Sequence, residues 1–215
     1  MSKKKTEEWL HKEVLEGETK VLLHACCAPC SGAILECMLR EGLTPVIFYS
    51  NSNIYPSEEY DIRRDECRRW AETNGVGFVE DDYDHGNWNS AVASGLETAP
   101  ERGPRCLQCF RYRLLRTARY ALDHGYTIMT TTLASSRWKS LEQIDAAGRW
   151  AVEKALSEFD GDAAPKLEWW EKNWRKGGLQ QRRQVIIKEY GFYNQLYCGC
   201  EFSMRRLQND TTDNR

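Results

Sequence analysis

Nine cysteines occur in this chain of 215 residues, and seven of them fall into three tight groups: Cys26-Cys27-x-x-Cys30, Cys106-x-x-Cys109 and Cys198-x-Cys200. Loops this short make poor disulfide staples, because closing them removes little entropy from the unfolded chain. Metal binding or redox chemistry is the better account of the seven. Cys37 and Cys67 fall inside predicted helices and are expected to be buried as small hydrophobes.

Iron–sulfur clusters and zinc both need thiolates that converge from separate segments on one small volume. Cys106 and Cys109, just after Pro104, have the form of a pair at a helix start, where the helix dipole favours thiolate over thiol. Cys26 and Cys27 supply two more sulfurs at the end of a predicted strand. Directly adjacent cysteines fit a zinc knuckle badly, and Cys30 exceeds what a closed structural site requires, so the pattern favours redox iron over zinc. Cys198-Gly199-Cys200 is separate. Its disulfide would close a very small ring and be readily reduced, which suits a redox relay. Two more ligands of the same metal, or two unreactive thiols, are the alternatives. His24 and His85 are candidate proton donors, although a hydrogen-bonded structural role explains them more cheaply. Asp81-Asp82-Tyr83-Asp84 reads as an acidic turn rather than a cation site.

These groups need a scaffold. Val21–Ala25 is a short apolar run ending at the cysteine pair and predicts a buried strand. Ser31–Arg40 predicts a helix and Pro45–Tyr49 the next strand. Pro56-Ser57-Glu58-Glu59 has the form of a helix start, with a capping hydroxyl and acids in the first turn, and Tyr60, Cys67, Trp70 and Ala71 would share one face. Val76–Val79 predicts a third strand, Leu107–Ala121 a helix, Thr127–Thr131 a fourth strand and Ser140–Ser157 another helix. Such alternation predicts an α/β fold, a parallel sheet with helices on both faces, whose ligands bind beyond the carboxyl ends of the strands. The metal site is therefore expected at the end of the first strand. The expected organisation is an N-terminal extension (1–19), a single catalytic domain (20–207) and a disordered tail (208–215), with a long irregular segment over 160–178.

Hydrophobic residues make up 41% and charged residues 29% of the chain, at a formal net charge of −2. That composition is ordinary for a globular protein and gives no overall attraction for polyanions. No apolar run reaches the length of a membrane span, and the lysines of the N-terminus are followed by Trp9-Leu10-His11-Lys12-Glu13 rather than a signal-peptide core. A cytoplasmic protein without a membrane partner is expected. Between Gly161 and Lys188, seven Lys/Arg face three acids, interleaved with Trp169, Trp170 and Trp174. Cations among aromatics suit unpaired RNA, and a solvated face over a few buried tryptophans is the plainer alternative.

Five ordered motifs carry a resemblance. They are Cys26-Cys27-Ala28-Pro29-Cys30-Ser31; Tyr49-Ser-Asn-Ser-Asn53-Ile-Tyr-Pro56 with Glu58-Glu59-Tyr60; Arg105-Cys106-x-x-Cys109-Phe110-x-x-Arg113-Leu114; Thr131-Thr132-Leu133-x-x-Ser136; and Gly191-Phe192-Tyr193-x-Gln195-x-Tyr197-Cys198-Gly199-Cys200-x-Phe202-Ser203. Together, over about residues 20–204, they closely resemble the QueH-type epoxyqueuosine reductase family. The resemblance implies reduction of epoxyqueuosine to queuosine at the wobble position of tRNA, the last step of that modification. It also implies a Rossmann-like fold related to nucleotide alpha hydrolases. The glycine-rich phosphate loop of that wider group is absent here, replaced by His24-Ala-Cys-Cys-Ala-Pro-Cys30, as if a metal site had taken the nucleotide's place.

On this resemblance Cys26, Cys27, Cys106 and Cys109 hold a 4Fe–4S cluster. A second, mononuclear iron lies beside it, with Cys30 or one of the pair as its ligand, and an open position there would polarise the epoxide oxygen. Cys198 and Cys200 shuttle electrons. Tyr193, Gln195 and Tyr197 are expected in the base pocket, and Arg137 and Arg183 on phosphates. Trp169, Trp170 and Trp174 are expected contacts of the anticodon loop. The partners implied are tRNA carrying epoxyqueuosine and an electron donor of unidentified class. Arg137-Trp138 stands where the family often has proline and an aromatic residue, and Gly178–Arg183 replaces a more compact stretch with one arginine. The competing functions are an ATP-dependent tRNA-modifying enzyme of the same fold and a zinc-stabilised RNA-binding module.

Overall fold

The computed structural model describes residues 19–160 and 165–205. The expected tail (208–215), and all of the expected 1–19 extension but Thr19, lie outside the described residues. In chain order the elements are β1 (Val21–His24), α1 (Ala28–Arg40), β2 (Val46–Tyr49), α2 (Ser57–Thr73), β3 (Phe78–Glu80), the single turn α3 (His85–Trp88), α4 (Pro104–Asp123), β4 (Ile128–Thr131), α5 (Leu141–Glu158), β5 (Glu168–Trp169) and α6 (Leu179–Glu189). A π-helical turn, Asn89–Ala93, continues α3, and a 3-10 turn, Thr132–Ser135, follows β4.

All five strands run parallel in the order β3-β2-β1-β4-β5. Strands buried on both faces read as continuous apolar runs, and β1 does so: Val21, Leu22, Leu23 and His24 are all buried. Crossovers between parallel strands are almost always right-handed. The steps from β1 through α1 to β2 and through α2 to β3 therefore set α1 and α2 on one face. The steps into β4 and β5 travel the other way and set α4 and α5 on the opposite face. α6 packs on α1, where a side chain in place of Gly32 would come within 3.1 Å of Ile186. The direction of travel reverses between β1 and β4, so the ligand crevice of this sheet lies beyond their carboxyl ends.

Four local expectations change. α1 begins at Ala28 rather than Ser31, because Pro29 is tolerated in a first turn and the extended Cys27 serves as N-cap. Cys30 consequently sits in the first turn of α1. Ser57 does not cap α2; Pro56 holds that position without a side-chain hydrogen bond. The third strand is Phe78–Glu80, shifted past Gly77, whose added Cβ would lie 3.1 Å from Val46.

The fourth change concerns the segment expected to be irregular, which supplies the edge strand β5. Its amides bond to β4 and the residue before it, Glu168 N–H to Thr127 O at 2.9 Å and Trp170 N–H to Met129 O at 2.8 Å. Two of the three tryptophans expected on RNA are used in packing. Trp174 is wholly buried, and the Trp169 ring lies against Gly148, where a Cβ would fall 2.2 Å away. Arg182, from the same basic stretch, is paired with Glu36 at 2.6 Å and 2.7 Å.

Candidate active site

β1 delivers the first cysteines into the crevice. Cys26 follows the strand by two residues, and its amide donates to Thr132 Oγ1 at 3.1 Å, which ties the end of β1 to the turn after β4. The Thr132 hydroxyl donates in turn to Cys26 Sγ at 3.4 Å. Cys26 and Cys27 sulfurs stand 3.8 Å apart, and with Cys30 they form a group whose sulfurs all lie within 4.8 Å of one another. Hydrogen bonds from Cys27 and Cys30 hold the Cys26 thiol well below its ordinary value, while the bond to Cys26 holds both partners up. These bonds favour the thiolate at Cys26, at the positive end of α1.

Across the crevice, Pro104 opens α4 and brings Cys106 and Cys109 into its first two turns. Burial pushes the Cys106 thiol up to about 11 and the Cys109 thiol up to about 12. Both are therefore neutral thiols near neutral pH in the metal-free chain. Cys26, Cys30, Cys106, Cys109, Cys198 and Cys200 all line one cavity of about 790 Å³.

Buried cations lie around these sulfurs. Arg113 of α4 is 2% exposed and spends its guanidinium on neutral acceptors, Ser50 O at 3.1 Å and Asn51 Oδ1. Arg105 donates to the carbonyls of Leu96, Glu97 and Ala99 at 2.8, 3.1 and 2.7 Å and lies over the Phe202 ring. A buried cation without a carboxylate partner is costly unless some other negative charge faces it.

The segment 193–200 closes the cavity as a strap. Gln195 Nε2 donates to Cys27 Sγ at 3.0 Å. Arg63, paired with Glu59 at 2.5 Å, also donates to Cys198 O at 3.2 Å and Tyr197 O at 3.4 Å. Gly199 has φ +128, and a Cβ there would stand 3.1 Å from both Arg63 and Ile54, so only glycine fits between the two cysteines. Gln195 Oε1, Asn53 Oδ1 and Trp88 Nε1, on residues that line the cavity, are buried without a hydrogen-bond partner among the described residues.

A family model described as epoxyqueuosine reductase QueH matches residues 21–206. The chain belongs to that family. Epoxyqueuosine reductase QueH of Histophilus somni (strain 129Pt) is 44% identical over 193 residues, covering 90% of this chain and 75% of the relative. The protein of the same name from Haemophilus influenzae is also 44% identical over 193 residues, with the same coverage. That from Thermotoga maritima is 33% identical over 187 residues, 86% of this chain and 90% of its own. An NMN synthetase from Francisella tularensis superposes with a TM-score of 0.42 at 11% identity, over 98% of this chain and 92% of that one.

With the QueH family established, the expected site residues can be placed. Arg137, Arg183, Gln195 and Tyr197 line the cavity with the six cysteines. Tyr193 does not line it: its hydroxyl donates to Glu59 at 2.9 Å and its amide to Glu66 at 2.7 Å, which anchors the strap to α2. Cys27 is not among the lining residues, its sulfur resting on Cys26 and Gln195, while Cys30 lines the cavity. Cys37 and Cys67 are buried as expected. His24 is structural: wholly buried between Thr131 Oγ1 at 2.7 Å and Ser50 O at 3.1 Å, it is driven down to about 3 by burial first and Arg113 second. His85 bonds Ser52 O at 2.9 Å, and neither histidine lines the cavity. In the acidic turn, Asp81 is engaged by Arg116 and Asp84 caps α3.

Two site residues escaped the reading of the sequence. Lys139 lines the cavity; burial opposes its charge, but Cys198, Cys26 and Cys30 outweigh it and hold the ammonium above its usual range. Arg113 lay inside a recognised motif with no role assigned. Neither carried a spacing signal, because each depends on which residues lie across the sheet.

Proposed function

We propose that this chain removes the epoxide oxygen of epoxyqueuosine in tRNA, with Cys26, Cys27, Cys106 and Cys109 holding a 4Fe–4S cluster and Cys30 serving a second iron. The observation that carries the reading is the meeting of six cysteines, from three distant segments, in one cavity at the switch point of the sheet. The orphaned polar atoms and the buried guanidiniums without carboxylate partners support a charged, cysteine-bound group there. When bound, such a cluster and iron supply electron transfer and a Lewis-acidic position for the epoxide oxygen.

The rest is the work of the chain. Both carbon–oxygen bonds of the epoxide break, an alkene forms, and the oxygen leaves as water. Two electrons and two protons are needed. Oxidation of Cys198 and Cys200 from dithiol to disulfide releases both, and an external two-electron reductant restores the thiols. Arg63 holds that pair by the Cys198 carbonyl. Gln195 and Tyr197 border the base pocket, and Arg137 and Arg183 are poised for phosphates. Exposed thiols of this kind need a reducing compartment, consistent with a cytoplasmic enzyme. Among the described residues, no helix is long and apolar enough to cross a membrane.

The test is iron, zinc and sulfide content with a visible spectrum, on anaerobically purified wild type and Cys106→Ala, followed by turnover of tRNA carrying epoxyqueuosine. About four irons or more and four sulfides per chain, a brown colour lost in the variant, and queuosine formed by the wild type are expected. One zinc without sulfide after anaerobic reconstitution would favour the zinc-stabilised module instead.

A further inference from the structure

The mouth of the cavity carries an aromatic side chain for which the fold has no use. Trp138 is 77% exposed, although it follows β4 by only a few residues and lines the cavity. Leaving so large an apolar surface in water forfeits the stabilisation its burial would bring.

Its backbone, by contrast, is firmly held. Arg102 Nε donates to Trp138 O at 2.9 Å and its Nη2 to Arg137 O at 3.4 Å. Trp138 N–H reaches Ser136 Oγ at 3.3 Å, and Arg175 donates to Lys139 O at 2.7 Å. Gln143 of α5 bonds the carbonyl of Arg102 at 2.9 Å, bracing the opposite side of the mouth. A rigid turn thus presents a free indole.

Charge surrounds the indole. Arg102, Arg137 and Arg183 line the cavity around it, and Glu101 is the one carboxylate among the described lining residues. None of these three arginines makes an ion pair with a carboxylate among the described residues. The whole chain is slightly acidic at −2, so this local excess of positive charge is specific to the mouth, where it focuses the field on an incoming anion. An exposed ring among unpaired cations is the arrangement that binds unpaired nucleotides: the ring stacks a base and the cations take the phosphates on either side. A paired duplex offers its bases no such access.

We infer that Trp138 is the stacking platform for an unpaired base flanking the nucleotide that enters the cavity, with Arg137 and Arg183 on the adjoining phosphates of a single-stranded RNA loop. The inference rests on the reductase reading for the identity of the loop, but not for its chemistry.

The experiment is a fluorescence-anisotropy titration of the anaerobically purified full chain with a labelled RNA hairpin bearing an unmodified anticodon-type loop. Wild type, Trp138→Ala, Trp138→Phe and Arg183→Ala are compared over a series of salt concentrations. Trp138→Ala is expected to bind about tenfold more weakly, within the range for loss of one stacked base, and Trp138→Phe to recover most of that loss. The slope of log affinity against log salt should be the same in wild type and Trp138→Ala, and shallower by roughly 0.7 in Arg183→Ala. The melting temperature of Trp138→Ala should match wild type, since the ring packs on little.

Loop binding unchanged in Trp138→Ala would overturn the platform, and the reductase reading would survive if epoxyqueuosine tRNA were still reduced. An equal loss in the Ala and Phe variants would overturn it too, because a stacked ring is replaceable by another ring. Aromatic-dependent binding in an enzyme that fails to reduce epoxyqueuosine would uphold the platform while the reductase reading fell.

Discussion

Arg113 links the chemistry of the site to its stability. Its guanidinium is buried against the carbonyl of Ser50 and the amide of Asn51, with no carboxylate paired to it among the described residues. In metal-free protein only the Cys26 sulfur, whose thiol Arg113 helps to hold down, faces that charge; metal-bound thiolates would answer it more fully. Arg113→Met should therefore cost little in the metal-free chain and much more in the loaded one. The rise in melting temperature on metal loading should shrink in the variant by several degrees, at ~2–4 °C per kcal/mol for a domain of this size. An undiminished rise would show that Arg113 serves the backbone alone. Gly199 makes a second case at this scale. Gly199→Ala forces a side chain into a φ of +128 and against Arg63 and Ile54, displacing the Cys198–Cys200 pair. Turnover should fall at least tenfold while iron content stays at the wild-type level; loss of iron instead would place Cys198 or Cys200 among the ligands.

Among the elements, α5 and β5 depend on one missing side chain. Gly148 of α5 admits the Trp169 ring so closely that an added Cβ would fall 2.2 Å from it. Gly148→Ala should destabilise the fold by about 1–3 kcal/mol through overpacking, measurable as a lower denaturation midpoint. A neutral result would mean that β5 detaches at no cost. This strand was invisible in the sequence because it has two residues and no alternation of its own. Its hydrogen-bond partners, Thr127 and Met129, come from the far side of α5. The longer elements were legible, because strand runs such as Val21–His24 and the apolar face of α4 reflect burial that their own residues dictate. Their starts were less so: α1 begins three residues early because Pro29 and Cys27 shape its first turn.

For the molecule as a whole, acid and base act on stability in opposite senses. Burial first, and the Glu171 carboxylate second, push Asp145 up to about 6 from its usual 3.8. The folded chain therefore holds a proton that the unfolded chain has already released. Stability declines as pH rises from about 4 to about 6, and the penalty is constant above that. Asp145→Asn, which keeps an acceptor for the Trp169 indole, should stabilise the protein at pH 7 by roughly 1–3 kcal/mol and have no effect near pH 4. An equal gain at both pH values would rule out ionisation as the cause. His24 works the other way. Its folded value near 3 lies below the ordinary 6.5, so its contribution to stability is complete above pH 6.5 and is lost progressively as pH falls.

The sequence by itself determined the parallel α/β class, the three cysteine groups and the family, because each is written in local spacing or in ordered motifs. It also placed Cys26 and Cys27 at a strand end, since a buried parallel strand and its following turn are contiguous in the chain. Only the tertiary structure decided which thiols are neighbours. Cys30 joins Cys26 and Cys27 because α1 starts early and turns it inward, and Cys106, Cys109, Cys198 and Cys200 meet them only when the sheet reverses direction between β1 and β4. The tertiary structure likewise withdrew Trp174 into the core and left Trp138 at the mouth. Tryptophan content says nothing about exposure; that depends on what packs across from each ring, and those partners are remote in sequence.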